Sequence, residues 1–192
     1  MWHNLLQDSR FFLLLLAFDR DLAEQVRAEG CPHCASVLHY GRYERKPRGV
    51  PDGLPQEYDW RESLCCSADG CRRRVLPPSL RFFGRRLYVG PVFVLACVMI
   101  HGITKKRAAV LRELVGVNIR TLGRWRAWWR EAFPGSRFWG AMRARFLPPV
   151  EESFLPASLL ERFDSPTESE RLLAVLRFLA PLTAGSTSPM DF

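Results

Sequence analysis

Apolar positions along this chain cluster into helical blocks at both ends and through the middle, and a proline-, glycine- and cysteine-rich interval separates them. Residues 5–29 predict one or two helices, with Asp19 or Asp21 as the N-cap of a segment opening at Leu22-Ala23-Glu24. Gly30 stops that segment. Val37 to Tyr43 reads as a short strand. Residues 44–59 carry Pro47, Gly49, Pro51, Gly53 and Pro55 and read as a loop. A turn-rich stretch over 64–74 follows, closed by Pro77-Pro78, and then an arginine and aromatic connector from Arg81 to Arg86.

Pro91 suits the first position of a helix, Val92 to Ile100 is apolar on every side, and Gly102 is its stop. Two further helices are predicted at about 105–115 and 119–133, ended by Pro134-Gly135. Beyond Pro148-Pro149 come a short helix near 157–163 and a last one near 168–180. The latter opens on the capping-box pair Thr167 and Glu170 and stops at Pro181. The pattern predicts a mainly α chain divided as 1–29, 30–80, 87–135 and 150–181, with 184–192 a disordered tail and no internal repeat.

Composition adds direction. The 192 residues are 47% hydrophobic and 25% charged, as expected of a folded chain, with a net charge of +8. Basic charge is concentrated: residues 72–86 hold six arginines and no acid, and 105–130 hold eight Lys or Arg against Glu113 alone. Residues 151–170 are acid-rich. That distribution predicts an anionic partner. The apolar runs Phe11–Phe18 and Val92–Ile100 fall well short of the roughly 20 residues a membrane span needs. No cleavage-site pattern follows the first run, so a cytoplasmic location is expected.

In a reducing compartment, clustered cysteines read as metal ligands before disulfides. Cys31 and Cys34 have two residues between them, and Cys66 and Cys71 have four. Two such loops converge four thiolates on one tetrahedral Zn²⁺. Cys65 is the alternative to Cys66, its spacing one residue longer. Gly70, just before Cys71, is expected to take the positive φ of a tight turn. His33 and His39 read as surface residues rather than ligands, and Cys97 as core. Cys-Pro-His-Cys also suits a redox dithiol, but that chemistry needs a strand before it and a helix after it, and leaves the second cluster without a role. A four-thiolate zinc leaves no open position, so its expected work is structural. Arg72, Arg73 and Arg74 beside it offer a surface for phosphate.

From Leu111 to Trp125 the chain reads Leu-Arg-Glu-Leu-Val-Gly-Val-Asn-Ile-Arg-Thr-Leu-Gly-Arg-Trp. Gly116 permits a tight turn, and Asn118 can cap a second helix. At 100° per residue Ile119, Leu122, Trp125, Trp129 and Phe133 share a face that would pack on the first helix. Arg120 and Arg124, with Thr121 at the edge, fall on the other side. Trp128 and Trp139 read first as core, with stacking on bases the alternative. This stretch resembles the helix-turn-helix of transposases and small repressors, matching at Gly116, Val117, Asn118, Thr121, Leu122, Arg124 and Trp125, with Asn118 in place of the usual serine. It departs at Arg112, where the family has a small residue; Ala108 and Ala109 lie one turn earlier.

A zinc ribbon followed by a helix-turn-helix resembles the N-terminal, DNA-recognising half of bacterial transposases, over roughly residues 28–135. The spaced carboxylates of the nuclease domain are absent, so the resemblance implies a non-catalytic double-stranded DNA-binding protein, mobile-element-derived or regulatory. It places Arg120, Thr121 and Arg124 at base edges, and Lys105, Lys106, Arg107 and Arg72–Arg74 on phosphates. Two other readings stay open: an adaptor docking a partner protein through the ribbon and the acidic C-terminal helices, and a single-strand or RNA-binding ribbon.

Overall fold

The computed structural model describes residues 2–83, 88–98 and 105–184, and the side chains of all of these except 2, 3 and 105–108. The chain is mainly α, with short strands confined to its first half. The predicted tail from 185, the Gly102 stop and residues 84–86 of the Arg81–Arg86 connector lie outside the described residues.

Helix α1 (Trp2–Gln7) leads into α2 (Ser9–Glu29), one unbroken helix whose N-cap is Asp8, its carboxylate accepting the Arg10 amide at 3.0 Å. The expected start at Asp19 or Asp21 is therefore corrected. Phe11, Phe12, Leu15 and Leu16 form a helical stripe that continues in register through Asp19 and Ala23, so the apolar run and the polar segment are one face. Gly30 ends the helix as expected, at φ 80°.

Asp19 is fully buried, and so is its partner Arg81, whose Nε donates to Asp19 Oδ2 at 2.9 Å. The other carboxylate oxygen accepts the Leu80 amide at 2.6 Å, and Ser79 Oγ also donates to Asp19. Arg81 donates onward to the carbonyls of Tyr58 and Trp60. Thr183 Oγ1 accepts the Ser79 amide at 2.7 Å, bringing the C-terminal turn into the same network. A buried ion pair is tolerable only when its remaining hydrogen bonds are satisfied, and here the network ties four distant parts of the chain together.

Between the helical regions, β1 (Leu38–Tyr40), β4 (Leu64–Cys66) and β5 (Arg74–Val75) form an antiparallel sheet in the order β1-β4-β5. β2 (Tyr43–Glu44) and β3 (Trp60–Arg61) form a separate ladder. The predicted strand 37–43 is thus two strands broken at Gly41, and the predicted loop 44–59 contains a 3₁₀ turn at Gln56–Asp59. A small core of Cys31, Leu38, Leu64 and Cys66 lies behind the first sheet, distinct from the main core.

The main core is built on α3 (Gly90–Val98), buried on all sides over residues 90–97, as its uniform hydrophobicity predicts. Phe93 is its hub, with ring centroids 5.0 Å from Phe83, 5.5 Å from Trp125 and 5.2 Å from Trp128. The last two belong to α5 (Ile119–Ala127) and to the π-helical turn Trp128–Ala132 that extends it. Rings continue through Phe133, Trp139 on α6 (Arg137–Met142) and Phe146 to Phe178 on α8 (Glu168–Leu179). Both halves of the Thr167–Glu170 capping box are present at the start of α8. The short C-terminal helix α7 covers only Ala157–Leu160, and α6, which the pattern did not predict, is capped by Ser136.

Candidate metal centre and candidate nucleic-acid face

Two loops carry the cysteines. In the first, the Cys31 amide donates to Ser36 O at 2.9 Å and the Ala35 amide to Cys31 O at 2.7 Å, folding Cys34 back toward Cys31. In the second, the amides of Cys71 and Arg72 both donate to Ala68 O, at 2.9 and 3.0 Å. Each loop places the residue after its second cysteine in the left-handed region, Ala35 at φ 58° and Arg72 at φ 45°. Gly70 does not take a positive φ, so that expectation is corrected: the tight bend falls after the cysteine rather than before it. Neither Ala35 nor Arg72 is a glycine, so each loop holds an L-residue in a conformation that costs about 1–2 kcal/mol.

The sulfurs of Cys31, Cys34, Cys66 and Cys71 all lie within 4.8 Å of one another. Cys31 to Cys71 is 3.8 Å and Cys34 to Cys66 is 3.4 Å. Four thiolates at about 2.3 Å from one tetrahedral ion would stand about 3.8 Å apart, so the donor set fits a single metal. All six cysteines are free thiols. Cys65 stands outside the cluster. It faces His39 across the ladder while Cys66 faces Leu38, and alternation along β4 sends Leu64 and Cys66 inward and Cys65 to the other side.

Electrostatics within the cluster are uneven. Hydrogen bonds from the hydroxyl and amide of Ser36, and then from Cys66, lower the Cys34 thiol to about 6. At Cys66 the Ala68 amide pulls downward, but burial and the neighbouring thiols outweigh it and push it up to about 12. Deprotonation is thus favoured at the exposed Cys34 and opposed at the buried Cys66. A divalent ion would displace thiol protons and balance the thiolate charge.

Arg72, Arg73 and Arg74 are exposed beside this centre. Arg72 pairs with Asp69, and Arg73 Nη1 lies 3.1 Å from His33 Nδ1. His33 and His39 stay exposed at the surface.

The second group of residues lies on α4 (Lys105–Val115), the turn at Gly116–Asn118 and α5. Gly116 takes φ 67°, and Asn118 caps α5 by accepting the Arg120 amide at 2.9 Å. Val117 is buried between them. Leu122, Trp125, Trp129 and Phe133 are buried as the helical wheel predicts, whereas Ile119 is 46% exposed. Ile119 is the first residue of α5, so its direction on the wheel carries it past the edge of the core. The ring contacts of the buried face run to α3 through Phe93, a partner the expected packing on α4 left out; Leu111 and Val115 of α4 join the same core. Arg112 is exposed, so the departure at that position does not fall in a helix contact.

Trp128 and Trp139 are both core, at 7% and 1% exposure. Arg120 and Arg124 are exposed, and Thr121, half-buried between them, accepts from Arg124 Nη2 at 3.3 Å. Neither arginine, nor Arg126 or Arg130, pairs with a carboxylate among the described residues. Lys105, Lys106 and Arg107 occupy the first turn of α4, and their side chains lie outside the described residues. No helix among the described residues is long and apolar enough to cross a membrane.

No family model, no curated protein and no solved structure matches this chain.

Proposed function

We propose that this chain is a zinc-stabilised helix-turn-helix protein that binds double-stranded DNA without catalysing its cleavage, acting in the cytoplasm either as a mobile-element-derived factor or as a regulator. The observation that carries the reading is the outward face of α5: Arg120 and Arg124 are exposed and pair with no carboxylate among the described residues, on a helix entered through a glycine turn and an asparagine cap. A helix held on its inner side by Leu122, Trp125 and Trp129 is rigid enough to present those side chains in a major groove. Arginine matches the paired acceptors of guanine there, and Ile119, exposed one residue earlier, suits a thymine methyl group.

Four thiolates and no carboxylate favour a soft tetrahedral ion, and zinc fits the structural role best. Cys31, Cys34, Cys66 and Cys71 would hold it. When bound it neutralises thiolate charge and closes the two loops into one knuckle; the residues around it set the loop geometry and carry the Arg72–Arg74 cations. Those cations and Lys105–Arg107 are assigned to phosphates.

The test is Arg124→Ala on a duplex site selected by the wild-type protein. Affinity should fall by about 1–3 kcal/mol and the base preference at one position should relax. Wild-type affinity in the variant would remove α5 as the reading helix.

A further inference from the structure

We propose that the segment joining the two cysteine loops, Arg42 to Arg48, is a second nucleic-acid contact: a basic arm fixed beside the turn before α5, with Lys46 and Arg48 placed on the sugar–phosphate backbone of the duplex that α5 reads. The proposal rests on the DNA-binding reading and deepens it.

A connector between two ligand loops need only be long enough to span them. This one is pinned instead to the other core. Arg48 forms an isolated parallel bridge with Tyr88, and the Val89 amide donates to Arg48 O at 3.3 Å. Gly49 takes φ 74°, and a Cβ there would lie 2.8 Å from Val92 Cγ2 and 3.4 Å from Val115 Cβ. The backbone at 48–49 therefore lies directly against α3 and the end of α4, closer than any other residue allows. Tyr88 completes the joint: its hydroxyl donates to Gly116 O at 2.9 Å and its ring packs edge-on against Trp125 at 5.2 Å. One tyrosine thus touches the arm, the turn and α5.

The arm carries one acid, the exposed Glu44, and its cations divide into two kinds. Arg42 is held by Glu62 at 3.0 Å, and Arg45 lies over the Phe82 ring at 5.7 Å. Lys46 and Arg48 are exposed, and neither pairs with a carboxylate among the described residues. Pro47 between them restricts the backbone, so the two cations are offered at a fixed offset from the start of α5. Contacts of that kind set the register of a reading helix without themselves reading sequence.

The experiment uses the full-length, metal-loaded chain, its selected duplex and the double variant Lys46→Gln/Arg48→Gln, whose side chains are not in the core. Two lost phosphate contacts should flatten the log–log salt slope by about 1.8, so between about 50 and 200 mM salt the wild type loses roughly 12-fold more affinity than the variant. Base preference should stay as in the wild type. Gly49→Ala, with metal content checked, should weaken binding by displacing the arm. A wild-type slope in the double variant overturns the arm and leaves the DNA-binding reading standing. Failure of the wild-type protein to bind any duplex overturns both.

Discussion

Serine substitution at two adjacent cysteines should have opposite consequences. Cys66 and Cys65 differ by one residue, but only Cys66 Sγ approaches another thiol of the cluster, 3.4 Å from Cys34. Cys65 Sγ instead lies 3.8 Å from the carbonyls of Cys66 and Arg72. Behind the cluster, Leu38 and Leu64 are the fully buried aliphatic side chains of the small core among the described residues. At about 1.5–3 kcal/mol each they contribute roughly 3–6 kcal/mol. A structural zinc bound by the four thiols would contribute about 10–16 kcal/mol and would therefore dominate the stability of this module. Cys66→Ser should abolish stoichiometric metal binding and release the remaining cluster thiols to an alkylating reagent. Cys65→Ser should bind about one metal per chain, as the wild type does, and lose only a partly exposed, metal-independent thiol. The assay is thiol counting with and without chelator, paired with thiolate-to-metal absorption of the cobalt-loaded protein. Metal retained by Cys66→Ser and lost by Cys65→Ser would refute the strand register from which the ligand set follows.

Other perturbations test other parts of the structure. Asp19→Asn leaves the buried Arg81 guanidinium without its counter-charge and should cost about 3–5 kcal/mol in denaturant unfolding, whereas Glu57→Gln, in an exposed pair with Arg20, should change stability by less than about 1 kcal/mol. Ala35→Gly relieves a positive φ and should stabilise the metal-loaded protein by up to about 1 kcal/mol, read as a higher Tm. Gly123 sits inside α5 with open space where a Cβ would go, so Gly123→Ala should raise stability by about 0.5–1 kcal/mol; a drop would mean that α5 is more tightly enclosed than described.

Features set by neighbours along the chain were readable from the sequence. The Thr167–Glu170 capping box, the Asn118 cap and the Gly30 stop each involve partners within four residues. The Cys31 and Cys34 spacing was readable for the same reason, and the choice of Cys66 over Cys65 followed from ligand spacing that the strand alternation then reproduces. What escaped depends on distant residues. Asp19 resembles a cap until Arg81, 62 positions away, is known to lie beside it. Ile119 has the right angle on the wheel, but no wheel gives depth. Gly70 looked like the turn residue because glycine tolerates the bend, yet the hydrogen bonds to Ala68 O put the bend at Arg72. The Arg42–Arg48 segment carries its charge in plain view, and Pro47 with the flanking Gly41 and Gly49 gives it the look of a tether; the bridge of Arg48 to Tyr88 and the packing of Gly49 on Val92 give it a fixed place.

Selection from a random pool of duplexes by the metal-loaded protein, repeated with Arg124→Ala, is the decisive test of α5 as a reading helix. The wild-type chain should enrich a defined sequence, and Arg124→Ala should lose the preference at one position within it. A wild-type chain that enriches no duplex, or whose enriched sequence is unchanged by Arg124→Ala, would contradict that role of α5.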